Sequence, residues 1–208
     1  MMMKANNQKE KENRSPSAED RILDAALDII QEKTISGLRI RQVAEKAHMF
    51  QSNIHYYYSS KKDLLLAVQK KVLNRYREIR QHSISLQKTV SSMSLEDHLD
   101  IFIKQKIYTI RQEDKYDVAE LDFWNQSRLE PEMHQEFCLS YESWRQEIRD
   151  MISRFAPEMP PFKRVLLSGI TVSLLEGAAV QFLADRQAFD LESYFAYCKE
   201  ILLKEIRG

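Results

Sequence analysis

Apolar residues recur with the period of an α-helix along most of this sequence, and this pattern restricts the fold more than any other feature. The first clear case is the series Ile22, Ala25, Ala26, Ile29 and Ile30, which lies on one helical face. The chain of 208 residues contains only 4 Gly. Because the turns of all-β folds and phosphate-binding loops depend on glycine, this scarcity argues against both. The sequence therefore predicts an all-α protein.

The first third of the chain predicts a long helix, two short helices and a second long helix. Ser17 has the spacing of a capping box and begins the first helix. The short helices are expected over about residues 39–47 and 51–58, with a tight connection between them. Two short helices that meet at a tight turn form a helix-turn-helix arrangement. In the second of them, Tyr58 is predicted to face inward because it follows Ile54 by four residues.

The net charge of zero conceals an uneven distribution of charge. Residues 1–92 hold 17 Lys and Arg against 10 Asp and Glu, a net of +7, whereas residues 93–208 hold 14 against 21, a net of −7. This asymmetry is expected when a nucleic-acid-binding module is joined to a body that does not bind nucleic acid. Chance segregation of surface charge explains it equally well. Residues 1–16 are polar and predict a flexible arm, either solvated or in contact with DNA.

The rest of the chain predicts more helices after a serine-rich loop over residues 82–94. We therefore expect a helix-turn-helix domain with a connecting helix over residues 17–81 and a helical domain over residues 95–208. The helices predicted in the second domain cover residues 95–112, 116–126, 131–155, 162–184 and 191–206.

Neither half of the chain carries a signature of catalysis. The sequence has no Gly-rich phosphate loop and no CxxC, HExxH or GxSxG motif, so we expect no enzyme activity, no cofactor and no metal site. The two cysteines, Cys138 and Cys198, do not make a disulfide framework and fit a reducing cytoplasm. No apolar run approaches the ~18 residues of a membrane span, so no membrane partner is expected.

Several short motifs occur in a fixed order between Ile22 and Val68. They are Ile-Leu-x-Ala-Ala at the start, Arg-x-Val-Ala from Arg41 in the second helix, and the aromatic end of the third helix before Ser-Lys-Lys-Asp-Leu from Ser60. In this order and spacing, they resemble the DNA-binding domain of the tetracycline-repressor (TetR-like) family of bacterial transcriptional regulators. The segment Leu-Glu-Gly-Ala from Leu175 resembles part of the final two helices of that family.

Two residues at the turn depart from the pattern of the family. His48 stands where the family usually has Gly, and His adopts left-handed backbone more readily than most other residues. Phe50 replaces the usual small or hydroxyl residue that caps the third helix. We therefore expect Ser52 or water to satisfy the first amides of that helix.

The resemblance implies that the second and third helices contact double-stranded DNA. The guanidinium of Arg41 suits a phosphate or a guanine edge, and the amides of Gln51 and Asn53 suit adenine or phosphate. Lys61 begins the fourth helix, where amides and an ammonium together bind a phosphate. For each basic residue, an ordinary solvated charge is the alternative. The predicted DNA-binding residues are Arg39, Arg41, Gln51, Ser52, Asn53, His55, Tyr56, Tyr57 and Lys61.

The resemblance also implies a small-molecule cavity and a homodimer interface in the second half. Glu176 lies in an otherwise apolar helix, which favours either a cationic ligand or a bond across a subunit interface. For most of the aromatic residues there, ordinary core packing is the alternative. The predicted ligand-binding residues are Tyr108, Trp124, Asn125, Tyr141 and Glu176. The predicted interface residues are Leu166, Ile170, Leu174, Gly177, Ala178, Gln181 and Phe182, with an intramolecular core as the alternative.

Together these features predict a cytoplasmic, homodimeric regulator that represses transcription at a palindromic DNA operator and responds to a small-molecule effector of unknown identity. The alternative is a helical small-molecule-binding protein or enzyme that has lost sequence-specific DNA binding. Activation instead of repression would use the same contacts.

Overall fold

A computed structural model of the chain describes residues 16–85 and 93–208, which form α-helices joined by short connections. The predicted all-α fold is confirmed for these residues. In chain order the helices are α1 (Ala18–Gly37), α2 (Ile40–Lys46), α3 (Gln51–Tyr57), α4 (Lys61–Ser85), α5 (Leu95–Gln112), α6 (Asp114–Ser127), α7 (Pro131–Phe155), α8 (Pro161–Ala184) and α9 (Leu191–Arg207).

The predicted helices agree closely with these bounds except at the end of α4. The predicted loop over residues 82–94 begins too early, because α4 continues to Ser85. The rest of that loop up to residue 92 lies outside the described residues, and so does the predicted arm apart from Pro16.

Capping boxes define the first residues of α1 and α5. Ser17 Oγ accepts a hydrogen bond from the Asp20 amide at 3.0 Å, and Asp20 Oδ2 accepts one from the Ser17 amide at 3.3 Å. Ser94 and Asp97 form the same pair of bonds, at 3.2 and 2.9 Å. Each box satisfies amides that have no partner within the helix, so both helices begin where the sequence predicts.

The chain forms two compact units that divide between Val68 and Gln69, inside α4. This boundary lies well before the residue 81 expected from the sequence. The second half of α4 packs within the second unit, where Gln69 Nε2 donates to the Met133 carbonyl at 2.9 Å. The core of the first unit comes from α1 to α4 and includes Ile22, Ala26, Leu27, Ile30, Leu38, Val43, Ile54, Leu64 and Val68.

The second unit surrounds one hydrophobic cluster built from α5, α7, α8 and α9. Burying these apolar faces supplies most of the stabilisation, because removing apolar surface from water is the dominant favourable term in folding. The most deeply buried members include Leu99, Ile148, Ile152, Ala178, Leu191, Phe195 and Leu202.

Helix α8 is apolar around much of its circumference. By length and composition alone it is long and apolar enough to cross a membrane, so the expectation that no such run exists was too strict. A core helix of a globular domain meets the same criteria. Its inner face packs in the cluster through Leu167, Val172 and Leu175, whereas Leu166 and Ile170 are exposed. The outer face of α8 is therefore both apolar and exposed in the single chain.

Candidate functional site

The connection between α2 and α3 has the left-handed turn that the sequence predicts. The backbone φ of His48 is 55°, in a region that few non-glycine residues adopt. The preceding residue, Ala47, has ordinary helical geometry with φ −77°. The positive φ of His48 is therefore part of the tight connection between α2, which ends at Lys46, and α3, which begins at Gln51.

The first turn of α3 is organised by Asn53 and not by Ser52. The Phe50 amide donates to Asn53 Oδ1 at 3.1 Å, and the Asn53 amide donates to the Phe50 carbonyl at 3.0 Å. No side chain of the described residues caps the amides that follow. The Phe50 ring consequently has no role in the cap, and it is 82% exposed.

Helix α3 faces inward through a single buried residue, Ile54, which is 0% exposed. Tyr58 also lies inward, as its spacing predicts, and its hydroxyl donates to Glu19 at 3.1 Å. By contrast, Tyr56 is 84% exposed and contacts the Tyr57 ring edge-to-face. We call the exposed residues of this helix the α3 surface, which consists of Gln51, Ser52, Asn53, His55, Tyr56 and Tyr57.

The three predicted basic contacts lie in different environments. Arg41 projects into solvent from α2, and its Nε lies 3.5 Å from Glu45. Arg39 is exposed but donates to the carbonyls of Ser36 and Leu38 at 2.7 and 3.1 Å. Lys61 is half-buried and donates to the Ile35 carbonyl at 3.0 Å.

Burial lowers the pKa of Lys61, and the positive charge of Arg39 lowers it further. By contrast, the Arg41 side chain is 79% exposed and lies beside the Glu45 carboxylate. Lys61 and Arg39 already satisfy carbonyls near the end of α1.

The second unit contains a cavity of about 880 Å³ bounded by α6, α7 and α8. Of the predicted ligand-binding residues, Trp124, Tyr141 and Glu176 line it. Tyr108 and Asn125 are not among the described lining residues. Tyr108 instead donates from its hydroxyl to Glu113 at 3.1 Å, and Asn125 is exposed on α6. We call this the acidic cavity, because Asp117, Glu120 and Glu176 all line it.

A buried ammonium lies behind the wall of the acidic cavity. Lys106 Nζ donates to Asp117 Oδ1 at 2.7 Å and to Glu176 Oε1 at 3.2 Å. The hydroxyl of Tyr76 donates to the same Asp117 oxygen at 3.0 Å. Burial opposes the charge on Lys106, but the carboxylates around it, led by Asp117, outweigh burial and raise its pKa. Lys106 is therefore charged and compensates part of the negative charge.

Glu120 lies beside this cluster and is only 4% exposed. The hydroxyl of Tyr141 donates to Glu120 Oε1 at a long 3.5 Å. Burial raises the pKa of Glu120 to about 8, and the Glu176 carboxylate adds to the rise. Burial also raises the pKa of Glu176, against the influence of Lys106. One lysine thus faces three carboxyl groups in an apolar setting.

Sequence reasoning missed Lys106, Asp117 and Glu120, although one signal was available for the lysine. Lys106 continues the inward-facing series that includes Leu99 and Ile110 on α5. A charged residue at an inward-facing position needs a buried partner. The pattern does not say which carboxylates supply that partner, because they belong to other helices.

The predicted interface residues divide between surface and core. Leu166 and Ile170 are 59% and 48% exposed, and together with Leu174 they also line the acidic cavity. Gln181 is exposed as well. Ala178 is 0% exposed within the chain, so it belongs to the core. Leu174, Gly177 and Phe182 are partly exposed. The outer face of α8 also includes Phe162, Val165 and Val180, and exposed apolar residues on α9 are Tyr197 and Ile201.

Two family models match this chain. The model of bacterial regulatory proteins of the tetR family matches residues 22–68, and the model of the C-terminal domain of BetI-type transcriptional repressors matches residues 111–207. The HTH-type transcriptional regulator RutR of Escherichia coli (strain K12) is 38% identical over 65 residues, which are 31% of this chain and 31% of RutR. The match therefore spans about a third of the length of this curated relative.

Solved structures resemble the chain over nearly its whole length. A transcriptional regulator from Saccharomonospora viridis in complex with choline has a TM-score of 0.75 at 19% identity, covering 92% of this chain and 96% of that one. FadR from Bacillus subtilis in complex with stearoyl-CoA has a TM-score of 0.73 at 17% identity, covering 88% and 96%. At these identities, the likeness concerns the fold.

Proposed function

Because the chain belongs to the TetR family of bacterial regulatory proteins, we propose that it is a cytoplasmic repressor that binds a palindromic DNA operator as a homodimer and responds to a small-molecule effector. The observation that carries this proposal is the α3 surface. Its aromatic and amide side chains face solvent on a helix that only Ile54 anchors in the core. A helix that reads base edges needs such an outward face.

The contacts at the operator follow from the chemistry of the exposed groups. Tyr56 and the exposed ring of Phe50 offer apolar surface for thymine methyl groups. Asn53 already uses its oxygen within the helix, so its amide nitrogen is the group that faces a phosphate or a base acceptor. Arg41 supplies a guanidinium for a phosphate or a guanine edge. Lys61 and Arg39 act near phosphates at the edge of this surface.

The exposed apolar face of α8 supports a dimer of two identical chains. Phe162 at the start of α8, and Tyr197 and Ile201 on α9, do not line the acidic cavity and leave large apolar surface in water, which marks an interaction site. A side chain added at Gly177 would meet nothing within 4 Å in the single chain, so the packing of the protomer does not require this glycine. A second copy is the occupant expected here, because a palindromic operator matches a protein with twofold symmetry.

The acidic cavity is the proposed effector site. Its size and largely apolar lining suit a small organic molecule, with a few polar groups to orient it. Effector binding lowers operator affinity only if the two ligands favour different states of the dimer. The coupling is reciprocal, so the operator must weaken effector binding by the same factor. Equal effector affinity for free and operator-bound dimer contradicts this mechanism.

A helical binding protein or enzyme that has lost DNA recognition is not favoured. Such a chain has no need for Phe50, Tyr56 and the neighbouring polar residues to remain on an exposed face. The relatives named above are also transcriptional regulators.

Selection of bound fragments from random duplex DNA by the full-length protein, at two salt concentrations, tests the proposal. We expect a palindrome whose affinity falls steeply with salt, because each neutralised phosphate releases counterions. Recovery of no common sequence, with weak binding that vanishes at the higher salt, contradicts operator recognition.

A further inference from the structure

We propose that the effector is a protonated organic amine whose N–H groups donate hydrogen bonds to the carboxyl groups of Glu120 and Asp117, with its apolar part inside the acidic cavity. This inference rests on the proposed function in taking that cavity as the effector site. It specifies an ammonium with N–H groups, where Glu176 in the sequence left a cationic ligand and a bond across a subunit interface as alternatives.

Two buried carboxyl oxygens, on residues that line the cavity, have no hydrogen-bond partner in the described part of the chain. Among the described residues, Asp117 Oδ2 and Glu120 Oε2 have no hydrogen-bond partner and are shielded from solvent. The Tyr76 hydroxyl also faces Glu120, but it donates to Asp117 Oδ1. The residues that carry them are 3% and 4% exposed. Buried polar atoms are normally hydrogen-bonded, so once Glu120 is ionised these two oxygens are positions that a donor entering the cavity can fill. An ammonium group supplies several N–H donors at once.

The balance of charge favours a cation. Three carboxyl groups line the cavity, and Lys106 is bonded to two of them, Asp117 and Glu176. Arg145 also lines the cavity, but its guanidinium pairs with Glu142 at 2.9 Å. An anionic ligand would therefore meet an excess of negative charge in an apolar setting, whereas a cation reduces that excess.

The lining favours an organic cation over a metal ion. Within the described part of the chain, no three His, Cys, Asp or Glu side chains are gathered closely enough to hold a metal. The walls include Leu121, Val172 and Val180, while Trp124 and Tyr141 offer ring faces. Aromatic faces attract cations, and the aliphatic walls suit the carbon skeleton of an amine.

Binding of an amine should release the proton that Glu120 holds in the empty cavity. At neutral pH its raised pKa means that a proton occupies the carboxyl when the cavity holds no cation. The groups facing it are Tyr76 from α4, Lys106 from α5, Asp117 from α6, Tyr141 from α7 and Glu176 from α8. An ammonium displaces the proton by stabilising the carboxylate. Protons and amine therefore compete, and affinity for the amine rises with pH up to about 8.

The test uses four probes that share one carbon skeleton: 4-phenylbutylamine, 4-phenylbutanol, 4-phenylbutyrate and (4-phenylbutyl)trimethylammonium. Binding to the full-length protein is measured by calorimetry at pH 6, 7 and 8. We expect the primary amine to bind about 10- to 100-fold more tightly than the alcohol at pH 8, as hydrogen bonds to charged groups allow. The carboxylate should not bind, and the quaternary ion, which has no N–H, should bind more weakly than the amine.

Two further readouts separate the role of Glu120 from general packing. For the wild type, amine affinity should rise by up to about tenfold per pH unit between pH 6 and 8. Glu120→Gln has the shape of the protonated residue, so the fold should persist while the amine preference and the pH dependence disappear. The matched control is Glu78→Gln, which removes an exposed carboxylate on α4 and should leave both unchanged.

The amine assignment is overturned if the alcohol or the carboxylate binds as tightly as the amine, if the amine does not bind at millimolar concentration, or if wild-type affinity is independent of pH. Equal binding of the quaternary ion overturns the N–H contact. Each of these measurements is made in the absence of DNA. Failure of the amine assignment therefore leaves selection of an operator intact, and failure of operator selection leaves the amine result intact.

Discussion

Lys106 Nζ lies 2.7 Å from Asp117 Oδ1, and the two side chains are 1% and 2% exposed. This ion pair joins α5 to α6, and Glu176 on α8 accepts a second bond from the same ammonium. A buried charge must be paired, so the three helices are held in one arrangement by a single nitrogen. Lys106 does not line the acidic cavity itself. It nevertheless holds two of the lining residues, Asp117 and Glu176, in place.

Replacing Lys106 with Met should destabilise the protein by about 3–5 kcal/mol at pH 7, because the carboxylates lose their buried partner. The loss should shrink at pH 5, because burial raises the pKa of Glu120 and of Glu176 and both take up protons more readily. Urea unfolding at both pH values measures it. Lys104→Met, two residues away on the same helix and 77% exposed, is the control and should change stability by less than about 0.5 kcal/mol. Equal effects of the two substitutions contradict the role given to Lys106.

Glu120→Gln should make stability less sensitive to pH. The pKa of Glu120 is raised from 4.5 to about 8, so the folded state disfavours its ionised form. Wild-type stability therefore falls, relative to the variant, as pH rises from 4.5 to 8, by up to about 1.4 kcal/mol per pH unit. The two proteins should have similar stability near pH 4.5. A constant difference across this range in denaturant titrations would falsify the assignment of that pKa.

Arg41→Ala should weaken operator binding by about 1–3 kcal/mol without unfolding the protein. Lys104→Ala is the matched control, because both side chains are highly exposed and each pairs with a carboxylate four residues away, at 3.5 and 3.6 Å. Fluorescence anisotropy with the selected operator measures both variants. If Lys104→Ala reduces affinity as much as Arg41→Ala, charge alone accounts for binding.

Leu166→Glu should dissociate the dimer, because it places a charge in an apolar contact. A central interface residue commonly contributes about 2 kcal/mol or more, so the dimer dissociation constant should rise about 30-fold or more. Leu139→Glu, on α7, is the control, since the two leucines are 59% and 61% exposed. Sedimentation equilibrium reports the oligomeric state. A dimer that survives Leu166→Glu but not Leu139→Glu would move the interface from α8 to α7.

His48→Gly and His48→Val should change stability in opposite directions. The φ of 55° suits Gly, so the first variant should gain up to about 1 kcal/mol. A β-branched residue is strongly disfavoured there, so the second should lose about 1–3 kcal/mol. Thermal unfolding of the two variants measures the difference. Destabilisation by both would show that the imidazole itself, and not the backbone, matters at this turn.

Local patterns in the sequence predict most of the helices and the α3 surface. Ser17 and Ser94 begin their helices through bonds to residues three positions later, and Tyr58 faces inward because it lies one helical turn after Ile54. These relationships span only a few residues. Helical geometry alone therefore converts their spacing into structure.

The α-helical fold, its capped helices and the exposed face of α3 were determined by the sequence alone, because each depends on neighbours within one or two turns. The acidic cavity was decided only by the tertiary structure. Lys106, Asp117 and Glu176 come from three helices, and Lys106 and Glu176 are 70 residues apart in the chain. Periodicity can place each side chain on a face of its helix, but only packing decides which faces meet. The raised pKa of Glu120 and its one unpartnered oxygen follow from that packing.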